Sequence, residues 1–219
     1  MPPIEVAPSI LAADHGHLRE QVELVRAAGA RIIHVDVMDG HFVPPLALGP
    51  GAVAALRDLD DVHLDVHLMV DRPERTQVDA FARAGANTIT IHAEATPHVD
   101  YALAQIREAG CLAGLAVTPS TPLAAFEEVS VDLALIMTVN PGWGGQAFIP
   151  ASLAKIERLR ELLGPGVPIE VDGGIDEHTA GPVVAAGATR LVAGTAVFGA
   201  SDPAAAYERI AAAAGTALV

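Results

Sequence analysis

RIIHVDVMDGHFVP, Arg31 to Pro44, alternates along its first half. Successive side chains on a strand point to opposite faces. Ile33, Val35 and Val37 therefore share one face, and His34, Asp36 and Met38 share the other. Val and Ile at this density favour a buried strand. Yet the second face carries an imidazole and a carboxylate two residues apart. An ionised carboxylate buried without a partner is very costly, and a metal ion held by both groups offsets that cost. Asp39-Gly40 then ends the strand with a turn.

Outward from this stretch, the apolar pattern switches repeatedly between strand and helix periods. A strand over Ile4–Ala7 ends at Pro8-Ser9, and a helix over His17–Ala28 follows, closed by Gly29 as a C′ glycine. After the strand Arg31–Met38, strands are expected over Val62–Met69, Thr88–His92, Cys111–Val117, Leu133–Thr138, Val167–Val171 and Thr189–Ala193. Helices are expected over Val53–Leu59, from Pro73 to Ala84, and over Asp100–Ala109, Pro122–Val129, Ser152–Leu163, Glu177–Ala186 and Pro203–Ala213. Strict alternation of about eight such units implies parallel strands with right-handed crossovers. Ala28-Gly29-Ala30, Ala84-Gly85-Ala86 and Ala186-Gly187-Ala188 each end a helix before a strand, a weak internal repeat. A closed barrel and an open doubly wound sheet both fit this order. Eight units in 219 residues suit a compact barrel, and no Gly-x-Gly-x-x-Gly follows the first strand to favour a dinucleotide site. The expectation is one α/β domain over residues 1–219, a single (β/α)8 TIM barrel.

Composition narrows the function. The net charge of -14 argues against nucleic acid or an anionic membrane as partner. An anionic substrate must then be held by local devices. A single cysteine, Cys111, excludes an internal disulfide framework. With no signal-like N-terminus and no apolar run long enough to span a bilayer, a cytoplasmic location is expected. The single lysine, Lys155, lies in the helical pattern SLAKIERLRELL and reads as exposed. Schiff-base chemistry needs a lysine in a pocket, so aldolase-type catalysis is disfavoured.

The site of such a barrel lies at the C-terminal ends of its strands. There the sequence supplies Ser9; then His34, Asp36 and Met38; then Asp65, His67 and Met69; then Met137; then Glu170 and Asp172. Two imidazoles and two carboxylates, His34, Asp36, His67 and Asp172, converge from three strands. That donor set suits one Zn²⁺, Mn²⁺, Fe²⁺ or Co²⁺ ion per subunit. A lone strand histidine is more often a core residue, and Asp172 could simply cap the next helix. Two His–Asp sets at equivalent depth favour the ligand reading. Asp65 and Glu170 sit one layer deeper, in supporting roles. Met38, Met69 and Met137 would be ordinary core filler elsewhere; at strand ends they form an apolar lid. His92 is expected to line the pocket, and His15, His17, His41, His63, His98 and His178 to lie in turns or on the surface.

Glycines supply a second theme. Asn140-Pro-Gly-Trp-Gly-Gly-Gln146 contains Gly142, Gly144 and Gly145; Gly173-Gly174 and Gly194-Thr195 each precede a helix. Successive amides in such turns bind anions, and phosphate sites after the last two strands recur in this fold. Metal, paired carboxylates and a phosphate grip point to proton abstraction beside the carbonyl of a phosphosugar, through a metal-stabilised enediolate. Carboxylates on opposite faces of that planar intermediate would invert the carbon.

APSILAAD, HVDVMDGHFVP, DVHLMV, NPGWGGQAFIP, EVDGGI and VAGTAVFGA, in this order from about Pro8 to Ala200, resemble the ribulose-phosphate 3-epimerase family. The resemblance implies a TIM barrel of the ribulose-phosphate binding type that converts D-ribulose 5-phosphate to D-xylulose 5-phosphate in the pentose phosphate pathway. It implies His34, Asp36, His67 and Asp172 as metal ligands, with Asp36 and Asp172 also as acid/bases. Ser9 would contact substrate, and Gly144, Gly145, Gly174, Gly194 and Thr195 would bind its phosphate; His67, Met38, Met69, Met137, Gly142 and Gly173 are expected in the same substrate site. A homo-oligomer is expected. Pro45-Leu46-Ala47, Thr118 and Trp143 depart from the family pattern, and the first of these shapes the pocket rim. A 3-epimerase of a six-carbon ketose phosphate such as D-allulose 6-phosphate is the main alternative. A sugar-phosphate lyase or decarboxylase would resemble Asp-x-Lys at the strand end, where this chain has Asp36-Val-Met. A non-catalytic sugar-phosphate binder would need no matched acid/base pair.

Overall fold

The strands curl into a ring. The computed structural model describes residues 2–215, so Met1 and residues 216–219 of the expected domain lie outside it. The strands are β1 (Glu5–Pro8), β2 (Ile32–Asp39), β3 (Leu46–Ala47), β4 (His63–Met69), β5 (Thr88–His92), β6 (Leu112–Val117), β7 (Leu133–Met137), β8 (Ile169–Asp172) and β9 (Arg190–Ala193). The parallel ladder runs β1-β9-β8-β7-β6-β5-β4-β2. A single parallel bridge between Ser9 and His34 joins β1 to β2 and closes it. β3 pairs antiparallel with the end of β2, Met38 with Ala47 and Asp39 with Leu46. This short hairpin was not expected; Asp39 builds it by accepting the N–H groups of His41, Phe42 and Asp71.

Around the ring lie α1 (Leu18–Ala27), α2 (Pro50–Ala54), α3 (Gln77–Ala84), α4 (Val99–Glu108), α5 (Ala125–Glu128), α6 (Ser152–Leu163), α7 (Ala180–Ala185), α8 (Thr195–Phe198) and α9 (Pro203–Ala214). One strand face packs against the helices. Ile33, Val35 and Val37 share that core with Val22, Val25, Phe81 and Ile106. Each such side chain contributes about 1.5–3 kcal/mol on full burial. The other face points into the barrel and carries His34, Asp36 and Met38, as the alternation requires.

Several helices are shorter than expected. Pro73 opens a 3-10 turn, Pro73–Arg75, and α3 begins only at Gln77. Asp176 accepts the N–H groups of His178 and Thr179, which delays α7 to Ala180. The helix is thus capped by Asp176, and the capping role considered for Asp172 is not needed. Lys155 corrects the reading more sharply. It is 6% exposed, and its Nζ donates to the carbonyls of Thr118, Pro119 and Thr121 at 2.7, 3.2 and 2.5 Å. Three carbonyls satisfy the ammonium that helical periodicity assigned to solvent. With those bonds in place it remains a poor nucleophile. Leu162 takes the exposed position instead, at 42%.

Candidate active site

Register places the chemistry. β2 and β4 pair so that His34 lies beside Asp65, Asp36 beside His67 and Met38 beside Met69. On the other side of the ring, Met137 lies beside Asp172. His34, Asp36, His67 and Asp172 each offer one ligand atom, and these atoms all lie within 4.8 Å of one another. Asp36 is the hub. One of its oxygens is 3.3 Å from His34 Nε2 and 3.1 Å from His67 Nδ1. The other accepts the Ser9 hydroxyl at 2.6 Å. His67 Nδ1 is also 3.5 Å from Asp172.

The deeper layer is closed to solvent. His34 Nδ1 is 3.2 Å from Asp65 and 3.0 Å from Glu170, all three fully buried. Arg190 Nη1 lies 3.5 Å from Asp65. Asp65 and Glu170 thus take the supporting place expected of them. Arg190 gave no signal in the sequence, since nothing there distinguishes an inward arginine from an outward one.

Burial and charge set the protonation. Burial opposes ionisation of Asp36, but the charge of His34 and the hydrogen bonds of His34 and His67 outweigh it and hold the carboxyl below its usual range. Burial raises Asp172, and the Asp36 charge raises it further. Burial lowers His67, but Asp172 and Asp36 overcome it and push the ring up to about 9. Glu170 is raised to about 7 by burial and then by Asp65.

Above this cluster opens a cavity of about 600 Å³. Ser9, Asp36, Met38, Met69, Met137 and Asp172 border it at the strand ends. Gly142, Gly144, Gly145, Gly173, Gly174, Gly194 and Thr195 border it beyond them. Gly174 has φ +67, and a Cβ there would lie 2.5 Å from the Phe148 backbone nitrogen. Only glycine lets the two loops meet so closely. Three expectations change. His67 is fully buried beneath the floor of the cavity and does not line it. His92, expected in the wall, is also fully buried and stands 2.8 Å from His67. His63 is not on the surface but half-buried at the start of β4, bonded to Thr88. His15, His17, His41, His98 and His178 are exposed as expected.

A family model described as the ribulose-phosphate 3 epimerase family matches residues 5–198. The chain belongs to the ribulose-phosphate 3-epimerase family. As a member, it is a carbohydrate isomerase on a TIM barrel. The ribulose-phosphate 3-epimerase of Bacillus subtilis is 48% identical over 205 residues, covering 91% of this chain and 94% of that protein. The enzyme of that name from Synechocystis sp. is 51% identical, covering 91% and 89%. The chloroplastic ribulose-5-phosphate-3-epimerase of Arabidopsis thaliana is 49% identical, covering 94% and 76%. Among solved structures, a 3-hexulose-6-phosphate synthase superposes with TM-score 0.75 at 21% identity, over 96% of this chain and 99% of its own. KGPDC from Streptococcus mutans does so with TM-score 0.77 at 17% identity, over 98% of each. At those identities the likeness is one of fold. No helix among the described residues is long and apolar enough to cross a membrane.

Proposed function

We propose that this chain interconverts D-ribulose 5-phosphate and D-xylulose 5-phosphate by inverting C3, with Asp36 and Asp172 as the two proton-transfer groups. One observation carries the reading. Two carboxylates border the same cavity, and their surroundings push their protonation apart, Asp36 toward the anion and Asp172 toward the acid. Paired groups with divergent pKa values are how acid and base roles divide at neutral pH.

The residues also fit a divalent cation. His34 Nε2 is buried and has only a long, poorly aligned contact to Asp36 at 3.3 Å, and it lies within reach of one nitrogen and two carboxylates. Two nitrogen and two oxygen donors suit Zn²⁺, Fe²⁺, Mn²⁺ or Co²⁺. When bound, such an ion polarises the ketose carbonyl and offsets the charge that develops on it.

The chain's own residues do the rest. Ionised Asp36, held in place by the Ser9 hydroxyl, takes the C3 proton. Asp172, whose surroundings shift its carboxyl toward the acid form and whose strand is separated from β2 by β1 and β9, returns a proton to the other face. The reverse reaction exchanges the roles. Met38, Met69 and Met137 exclude water from the reacting carbon, so that protons pass between the carboxylates and the substrate rather than to solvent. The glycines of the loops after β7, β8 and β9 allow backbone to approach the phosphate closely.

Turnover in D₂O tests the reaction. Deuterium should appear at C3 of the product, and a product free of deuterium would exclude deprotonation. The same assay with D-allulose 6-phosphate decides the substrate: equal or greater kcat/KM for the six-carbon sugar would overturn the pentose assignment. The rim residues Pro45, Leu46 and Ala47 are where that choice would be made, with Leu46 80% exposed.

A further inference from the structure

His67 has a neighbour at each ring nitrogen. Nδ1 faces Asp36 and Asp172. Nε2 lies 2.8 Å from Nε2 of His92. Two ring nitrogens at that distance share one proton: one side must be N–H and the other a lone pair. The far side of the His92 ring decides which. His92 Nδ1 is 3.2 Å from one carboxylate oxygen of Glu94. The other Glu94 oxygen accepts the backbone N–H of Thr118 at 2.8 Å.

An ionised carboxylate only accepts. Burial opposes the charge on Glu94, but hydrogen bonds from His92, Thr121 and Thr118 outweigh it and hold the group at about 2. The proton of His92 therefore sits on Nδ1. His92 is fully buried, with the Glu94 carboxylate at Nδ1 and the His67 ring at Nε2, a setting that favours a neutral ring with a single proton. Its Nε2 is then a lone pair, and the N–H in the contact belongs to His67 Nε2.

We propose that Glu94 and His92 form a relay that fixes the His67 proton on Nε2 and so commits His67 Nδ1 to the cation position. Both are positioning residues; neither borders the cavity. The relay rests on the reading of His67 as a cation ligand. Its frame is rigid. The Phe42 ring packs against His92 with centroids 4.9 Å apart. Lys155 binds the carbonyl of Thr118, whose N–H holds Glu94. Outer partners of a ligating histidine fix its tautomer and raise its basicity. Here the outer partner is a second imidazole oriented by a carboxylate.

The test uses full-length protein labelled with ¹⁵N-histidine. In the Zn²⁺-loaded wild type, long-range ¹H–¹⁵N NMR should find the His92 proton on Nδ1 and the His67 proton on Nε2. In Glu94→Gln the amide can donate to His92 Nδ1. That reverses the His92 ring proton and turns His67 against its ligand role. Competition of Zn²⁺ with a chromophoric chelator should then show a dissociation constant raised about 10–100-fold. A purely structural Glu94 would not move the proton. Should the variant fail to fold, the wild-type tautomers still decide. Wild type that takes up no Zn²⁺ overturns the metal reading and the relay together. Wild type that binds Zn²⁺ with the His92 proton on Nε2, or a folded variant that binds as tightly as wild type, overturns the relay alone.

Discussion

β2 and β4 use the same three residue types in different order. β2 runs His34, Asp36, Met38 along its inward face, and β4 runs Asp65, His67, Met69. Because the strands are parallel and in register, each level of the barrel receives one imidazole and one carboxylate. The levels then diverge. The lower pair, His34 with Asp65, is joined by Glu170 and Arg190 and sealed. The upper pair, Asp36 with His67, is joined by Asp172 below an open cavity. The two histidines of the cluster differ in support accordingly. On the side turned away from the cluster, His34 meets the carboxylates of Asp65 and Glu170 directly, whereas His67 meets His92, which in turn meets Glu94. The lower level is sealed from solvent, and the upper one faces the cavity.

That contrast breaks most visibly at Asp36. Asp36→Asn should lower kcat by about 10⁴-fold, the upper range for a proton-transfer group, while inhibition by inorganic phosphate stays nearly unchanged. Equal losses in both would return Asp36 to a structural role. The mirror substitution one level down, Asp65→Asn, strands Arg190 and His34 without their shared anion. It should cost about 3–5 kcal/mol in denaturant unfolding; a change within about 0.5 kcal/mol would show that the lower level is not a charge lock.

pH separates the levels next. His67 is raised from 6.5 to about 9 in the protein without a metal ion. A raised folded-state pKa contributes stability that is complete below 6.5 and lost as pH rises through 9. The chelator-treated protein should therefore lose stability across that window, by about 1.4 kcal/mol for each pH unit crossed. Zn²⁺-loaded protein should not, since Zn²⁺ and the proton compete for Nδ1 and Zn²⁺ affinity rises with pH. Parallel stability curves for the two forms would refute the competition. The smallest effect belongs to the frame. Lys155→Met should destabilise by about 1–3 kcal/mol through three unpaired carbonyls, with kcat reduced far less than by Asp36→Asn. A variant as stable as wild type in thermal melts would show that the loop holds without its clamp.

Much of this architecture is legible in the sequence. Alternation in Arg31–Met38 and in the stretch around His67 shows which face each side chain takes, and eight strand–helix units give the ring. The convergence of His34, Asp36, His67 and Asp172 follows from those two facts. What escapes depends on contacts between residues distant in the chain. Lys155 occupies a helix position whose spacing reads as solvent, because the carbonyls that bury it come from a loop more than thirty residues earlier. His92 and Glu94 carry no signal alone, since their meaning comes from His67 on the neighbouring strand. The β2–β3 hairpin follows from one aspartate accepting three amides, which no periodicity records.

The seam of the barrel has a consequence of its own. β1 and β2 are stitched by one bridge, Ser9 to His34, and those two residues also hold Asp36. A fluctuation that parts the first two staves would scatter the reactive groups while the remaining ladder stayed intact. Loss of turnover should therefore precede loss of shape on gentle heating.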